Sequence, residues 1–311
     1  MKLISLVFSF RNEEKNLSTL VERIESSLSS LNNWNYELIF VNDASNDNSE
    51  QILENLQKKY PITIINMSRK FGNAPCVIAG FRHSKGDVII YMDSDLQDPP
   101  EIIPKLIEEY DNGADVVHTV RTKREGESKI KLFITKIAYK IINYLADIHL
   151  PIEAGDFKLI SKKALHKILD QNEFRPYVRG LSVWVGYKQA FVKYVRRPRG
   201  SGKSNFPLFS RGPFFTFLSG VTNYSLKPLY LGIFLGFLSL FFSLTLILYA
   251  LYLKFSNLAV PGTTGIIITI SFFSGILLFT LGIIGMYIAR ITEQTSGRPS
   301  YIIKEIKDFK N

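Results

Sequence analysis

Three carboxylates arrive together in the stretch YMDSDLQDPP: Asp93, Asp95 and Asp98 follow directly on the apolar run Val88-Ile89-Ile90. Asp93 and Asp95 stand two apart, so an extended chain points both to the same side. Hard oxygen ligands at that spacing suit Mg²⁺ or Mn²⁺, which are held by one or two carboxylates together with phosphate oxygens. Gln97 adds a neutral oxygen, completing a candidate metal set of Asp93, Asp95 and Gln97. A cation there would neutralise a diphosphate leaving group. Asp98-Pro99-Pro100-Glu101 reads instead as a helix start, with an Asp cap, prolines in the first turn and an acid at the positive dipole end. On that reading Asp98 stays outside the chemistry.

The elements that must position these groups alternate in a β/α rhythm over roughly the first 200 residues. Apolar, strand-like runs occupy 3–8, 37–41, 62–66, 87–92 and 115–120. Between the first two, Leu17, Leu20, Val21, Ile24 and Leu28 recur at helical spacing. This pattern predicts an α/β domain with a mostly parallel sheet covered by helices on both faces. Ligands in such sheets bind at the carboxyl ends of strands. The polar clusters Arg11-Asn12-Glu13, Asn42-Asp43 and Asp93-Ser94-Asp95 each follow a strand, so they should converge on one edge.

Two apolar segments, 229–253 and 265–289, contain no Asp, Glu, Lys, Arg or His. Each exceeds the ~20 residues that a bilayer-spanning helix needs. Basic residues flank the pair on both sides, which places both flanks in the cytoplasm and the short connecting loop outside. Uncharged spans argue for an anchor or an oligomer surface rather than a translocation route. The net charge of +10 calls for an anionic partner. With two spans in the chain, that partner is a membrane surface and not nucleic acid. The N-terminus lacks the long apolar segment of a signal peptide. The lone Cys76 excludes a disulfide framework, fits a reducing compartment and reads as a small buried residue rather than a catalytic thiol. Segment 129–148 interleaves Lys131, Lys136 and Lys140 with isoleucines and reads equally as an interfacial helix or as a helix packed on the sheet. The expected organisation is a cytoplasmic domain over 1–205, an amphipathic juxtamembrane segment over 206–228, two transmembrane helices within 229–289 and a cytoplasmic tail over 290–311.

The chain resembles family 2 glycosyltransferases of the polyprenyl-phosphate type, among them dolichol-phosphate mannose synthases and bactoprenol glucosyltransferases. The resemblance rests on Asn12-Glu13-Glu14, Asn42-Asp43-Ala44-Ser45, the stretch from Ser68 to Asn73, Asp93 to Glu101, Gly155-Asp156-Phe157, Val178-Arg179-Gly180 and Gly285 to Arg290. It implies a GT-A fold, Rossmann-like in its sheet. It also implies inverting transfer of a single sugar from a nucleotide sugar, UDP-glucose first, to undecaprenyl or another polyprenyl phosphate at the inner membrane. By the same resemblance Phe10, Asn12, Glu13, Asp43, Arg69, Asp93 and Gln97 hold the nucleotide sugar. Asp95, Asp156 and Arg121 are then catalytic, and Arg121 meets the acceptor phosphate; bringing two anions together needs further cations there, for which Lys131, Arg179, Arg199 and Lys203 are the candidates. A homo-oligomer is expected from the glycines of the spans.

The chain departs from the family pattern at Ser9 and Arg11 in the first motif, at Asn42 and Ala44 in the second, and at Asn205, where a lysine is usual; Lys203 supplies a shifted charge. Two other readings compete. A processive polysaccharide synthase usually carries a Gln-x-x-Arg-Trp motif, which is absent here, and more spans. A non-catalytic protein that recruits a partner or assists lipid flipping would not need an intact acidic site.

Overall fold

β-Branched and aromatic residues dominate the strands of the first half: β1 (Lys2–Phe10), β2 (Trp34–Asn42), β3 (Ile62–Met67) and β4 (Val88–Tyr91). In the computed structural model, which describes residues 1–124, 129–146, 151, 153–171, 173–174, 176–196, 222, 224–256 and 262–309, helices α1 (Leu17–Leu28), α2 (Ser49–Leu56) and α3 (Asn73–His83) connect them. Then follow α4 (Ile103–Asp111), β5 (Val116–Arg124), α5 (Lys129–Leu145), β6 (Ala154–Ser161), α6 (Lys162–Asp170), α7 (Val178–Trp184) and β7 (Gln189–Arg196). Two long helices, α8 (Lys227–Phe255) and α9 (Thr263–Thr295), precede a last strand, β8 (Ile303–Lys307).

The described strands form one eight-stranded sheet in the order β7-β5-β6-β4-β1-β2-β3-β8. Pairings β1–β2, β1–β4, β2–β3 and β5–β7 are parallel, whereas β4–β6, β5–β6 and β3–β8 are antiparallel. This is the mostly parallel α/β sheet expected from the pattern. Alternation sorts the core into two layers. Ile4, Leu6, Phe8 and Phe10 of β1 pack with Leu17, Leu20 and Ile24 of α1. Val7 packs on the other face with Cys76, Val77 and Phe81 of α3. That layer is tight: a Cβ at Gly80 would meet Val7 Cγ1 at 2.4 Å. Burial pushes the Cys76 thiol well up, which makes it an inert core group.

The chain divides into two compact units, 1–220 with 298–311, and 221–297. In the second, the spans Lys227–Leu253 and Ile268–Thr295 have mean hydropathies of 2.4 and 2.1 and are long and apolar enough to cross a membrane. Gly232 lies against Thr280, while a Cβ at Gly236, Gly275, Gly282 or Gly285 would meet nothing within 4 Å.

Part of the segment expected as a cytoplasmic tail over 290–311 is a strand: β8 joins the sheet of the first unit, antiparallel to β3. Its alternating Ile-Lys-Glu-Ile-Lys composition suits a half-exposed edge, which is why it reads as a charged tail in sequence. Ser68 N–H donates to the Ile302 carbonyl at 2.9 Å. Lys307 Nζ reaches Glu50 at 2.7 Å and Glu54 at 2.6 Å, and these bonds hold its pKa up. Removing residues 298–311 from the full chain in detergent is expected to lower the thermal midpoint of the first unit by roughly 5 °C. It should also promote aggregation through the bared β3 edge. An unchanged midpoint in a scanning-fluorimetry melt would show that β8 does not hold that edge.

Candidate active site

Strand direction brings the chemistry to one edge. β1, β2, β3 and β4 run parallel, so the residues after Phe10, Asn42, Met67 and Tyr91 emerge on the same side. β6 runs against β4, so its first residues, Ala154 to Asp156, share that edge. β5 runs against β6 and alongside β7, which delivers Arg121 beside Tyr194 there as well. Among the described residues, the non-glycine positions with left-handed φ all fall in the loops of this edge: Asn12 (56°), Ala44 (52°), Leu96 (61°) and Glu153 (90°). Backbone strain of that kind collects at functional sites.

The loops after β1, β2 and β3 are laced together. Asn12 Oδ1 accepts from the Asn46 N–H at 2.9 Å, and the N–H groups of Asn12 and Glu13 donate to the Ser45 and Ser49 hydroxyls at 3.0 and 2.9 Å. The Glu13 carboxylate accepts from Asn16 Nδ2 at 2.5 Å. Asp43 is buried and its two oxygens accept the N–H groups of Phe71 and Gly72 at 2.6 and 3.0 Å. These residues shape the rim by holding loop to loop. Arg69 is exposed and lies over the Phe71 ring at 4.1 Å, so its charge remains available to an incoming anion. Phe10, expected at the nucleotide, is 3% exposed and its ring is edge-on to Phe40 in the core, because Ile4, Leu6, Phe8 and Phe10 alternate onto one face of the sheet.

On the acidic side the Tyr91 hydroxyl accepts from Asn73 Nδ2 at 2.8 Å and donates to Asp93 Oδ1 at 3.0 Å. Asp95 Oδ1 accepts the Gln97 N–H at 3.2 Å, which closes the turn at Leu96. Burial, and then repulsion from Asp156, Asp95 and Asp98, pushes the Asp93 carboxyl up to about 7. This clustered negative charge is the donor chemistry a hard divalent cation fits. Among the described residues no group of three His, Cys, Asp or Glu forms a metal cage by itself. A cation here would therefore draw its remaining ligands from a substrate's phosphates and water. It would need Asp93 ionised. Without the cation, the stability contributed by the protonated Asp93 is complete below its ordinary pKa of about 4 and is lost as pH rises through about 7. Mn²⁺ affinity is expected to fall roughly tenfold per pH unit below that value. A Mn²⁺ titration followed by electron paramagnetic resonance from pH 5.5 to 8 checks this, and a flat profile would contradict it.

Asp156 faces a bidentate partner: Arg179 Nε and Nη2 donate to its oxygens at 2.7 and 2.5 Å. Burial alone would raise the Asp156 carboxyl, but Arg179, Lys158 and Arg121 outweigh it and hold it well below the usual range. A carboxylate held so far down is a poor base near neutral pH. Arg179 is thus engaged by Asp156 before any acceptor arrives. Arg121 is buried and paired as well, its Nε donating to the Tyr194 hydroxyl at 3.0 Å. Lys131 falls on α5, whereas Arg199 and Lys203 lie outside the described residues.

Asp98 departs from its expected part. The short helical turn Pro100–Ile102 takes no side-chain cap. Instead the Asp98 carboxylate is fully buried and accepts from the Tyr194 hydroxyl, with Arg196 Nε at 3.4 Å. Lys158 was not foreseen either. It is 1% exposed, its Nζ donates to Ser182 Oγ at 2.9 Å, and burial drops its pKa to about 8. The signal was present: a lone lysine inside Phe157-Lys158-Leu159-Ile160, two residues from Asp156 and so on the same strand face. Trp184, at the end of α7, is half exposed.

A family model described as glycosyl transferase family 2 matches residues 5–169. An uncharacterized glycosyltransferase of Bacillus subtilis, YkcC, is 37% identical over 99% of this chain and 95% of its own length. A prophage bactoprenol glucosyl transferase homolog of Escherichia coli is 33% identical over 98% and 99%, and a bactoprenol glucosyl transferase of Shigella phage SfX has the same identity and coverage. Among solved structures, Mycobacterium tuberculosis glucosyl-3-phosphoglycerate synthase, crystallised with Mn²⁺, UDP-glucose and phosphoglyceric acid, aligns with a TM-score of 0.48 at 18% identity, covering 71% of this chain and 80% of that one.

Proposed function

This chain belongs to glycosyl transferase family 2, and we propose that it moves a single sugar, with inversion, from a nucleotide sugar to polyprenyl phosphate at the membrane. The observation that carries the reading is the occurrence of an acidic strand edge, whose clustered carboxylates suit a cation, and two apolar helices in the same chain. The relatives named as bactoprenol glucosyl transferases match both parts. UDP-glucose is the first donor to test, and undecaprenyl phosphate the first acceptor.

Charge bookkeeping supports it. Asp93, Asp95, Asp98 and Asp156 are set against Arg121, Lys158, Arg179 and Arg196, so the edge is close to neutral when all are ionised. Asp93 and Asp95, with Gln97 beside them, would hold a divalent cation, which would supply the charge that a departing diphosphate requires. The acceptor phosphate has a second pKa near 6 and is already an anion at neutral pH. Its oxygen forms the new bond to the anomeric carbon as the bond to the diphosphate breaks, and the nucleoside diphosphate leaves with the electron pair. No proton has to be removed by the protein, which agrees with a permanently charged Asp156 that orients Arg179. Asn12, Glu13, Asp43 and Arg69 form the nucleotide rim. Arg121, with Lys131, Arg199 and Lys203, supplies cations toward the acceptor.

The proposed arrangement has residues 1–205, completed by β8, as the catalytic domain, 206–228 as the juxtamembrane segment and both flanks of the spans in the cytoplasm. α5 lies in the interface: Ile137 and Ile141 are 41% exposed and Tyr144 is 79% exposed along one helical stripe, while Ile142 and Ala146 are buried. The glycines of α8 and α9 that face open space suit a homo-oligomer. A screen of labelled nucleotide sugars against polyprenyl phosphate, with Mg²⁺ or Mn²⁺, tests the whole. Glycolipid from one donor is the expected result, and nucleotide binding with no turnover on any donor would favour a non-catalytic role.

A further inference from the structure

Gly155 is a glycine for reasons of space. A Cβ there would lie 2.7 Å from Arg121 Nη2 and 3.0 Å from its Cζ, so the guanidinium rests against the β6 backbone directly before Asp156. Three further contacts fix it. Arg121 Nε donates to the Tyr194 hydroxyl at 3.0 Å, that hydroxyl donates to Asp98 Oδ1, and Arg121 Nη2 stands 3.8 Å from Asp98 Oδ2. Asp98 Oδ2 accepts no hydrogen bond among the described residues, so its charge acts on Arg121 through space. The Tyr194 ring is held edge-on to Phe157 at 6.4 Å. Asp98 is 0% and Arg121 7% exposed. A guanidinium so buried needs a carboxylate close by, and Asp98 is that carboxylate.

We propose that Asp98, Tyr194 and Gly155 are positioning residues that set the Arg121 guanidinium for the acceptor phosphate. The inference rests on the function proposed above. It gives Asp98 a part in place of the helix cap that the sequence suggests. Asp98 follows Asp95 by three residues and ties the cation-binding loop to β5 and β7. It also explains the Gly-Asp-Phe triplet residue by residue. Gly155 leaves room for Arg121, Asp156 takes Arg179, and Phe157 steadies Tyr194. Preorganised charge of this kind acts without reorganising at the moment of reaction.

The test compares the full chain with its Tyr194→Phe, Gly155→Ala and Asp98→Asn variants in detergent. Tyr194→Phe keeps the ring and removes only the hydroxyl. Each variant is expected to raise the KM for undecaprenyl phosphate roughly tenfold while the donor KM stays within about twofold. A second readout does not need turnover: phenylglyoxal modification of Arg121, followed by peptide mass spectrometry, with exposed Arg69 as the internal reference. Arg121 should react several-fold faster in Tyr194→Phe, with Arg69 unchanged. Unchanged Arg121 reactivity in Tyr194→Phe overturns the proposal. So does a joint decline of kcat, both KM values and the melting midpoint, which would mark a general loss of fold. If the unmodified chain makes no glycolipid from any donor, the proposed function fails, and the modification rates alone decide whether the clasp exists.

Discussion

Asp95→Asn is expected to reduce sugar transfer by roughly 10³-fold or more while leaving the melting midpoint unchanged or slightly raised. The physical reason is that Asp95 contributes to a cluster that is destabilised by its own charge. Asp93 is pushed up to about 7 partly because Asp95, Asp156 and Asp98 stand near it. Removing one charge relieves repulsion in the cation-free chain but would deprive the proposed cation of a ligand. Loss of function with retained or improved stability is the signature of a residue held for chemistry rather than for folding. Initial rates with saturating Mn²⁺ and a matched thermal melt measure both halves. Asp95→Asn with full activity would sink the assignment of the cation site.

The second large effect concerns Asp156. Asp156→Asn leaves Arg179 without its carboxylate partner and removes the negative charge that faces Lys158 and Arg121. The Asp156 and Arg179 side chains are only 19% and 25% exposed, so breaking the pair should cost about 3 kcal/mol of stability. Transfer should fall on the order of 10²-fold as Arg179 loses its anchor. The pH profile separates the two roles open to this acid. Its pKa is held below the ordinary carboxylate range, so its stabilising effect is present above about 4 and is lost only under strong acid. It therefore does not titrate between pH 5 and 8. The surviving activity of Asp156→Asn should keep the acid limb of the parent, set by the acceptor phosphate and Asp93. Disappearance of that limb would make Asp156 a general base.

Much of this was legible in the residue order, and the remainder has definable causes. Strands β1 to β5 could be placed because a doubly covered parallel sheet demands continuous apolar runs, and the spans because a bilayer demands about 20 apolar residues. The convergence of Asn12, Asp43 and Asp93 on one edge followed from parallel strand direction alone. What could not be read were choices made by partners distant in sequence. Asp98-Pro99-Pro100 has the local form of a helix start, but its carboxylate is claimed by Tyr194, 96 residues away. Phe10 stands next to polar Arg11, yet strand parity sends its ring inward to Phe40. Lys158 looks anomalous in an apolar strand until Ser182 and Asp156 supply its surroundings. The final strand, β8, carries charges on alternate positions because it is a sheet edge, and only its register with β3 separates it from a solvated tail.

The central claim is that the phosphate of a lipid carrier attacks the anomeric carbon of a nucleotide sugar at the Asp93/Asp95 edge. The most direct measurement incubates the purified full chain with UDP-glucose, undecaprenyl phosphate and Mn²⁺, and identifies both products by mass spectrometry. The expected outcome is a lipid heavier by a single hexose, joined through one phosphate, with UDP released in equal amount. Release of UMP with a diphosphate-linked lipid, growth of a polymer, or no lipid-linked sugar from any nucleotide donor would contradict the account.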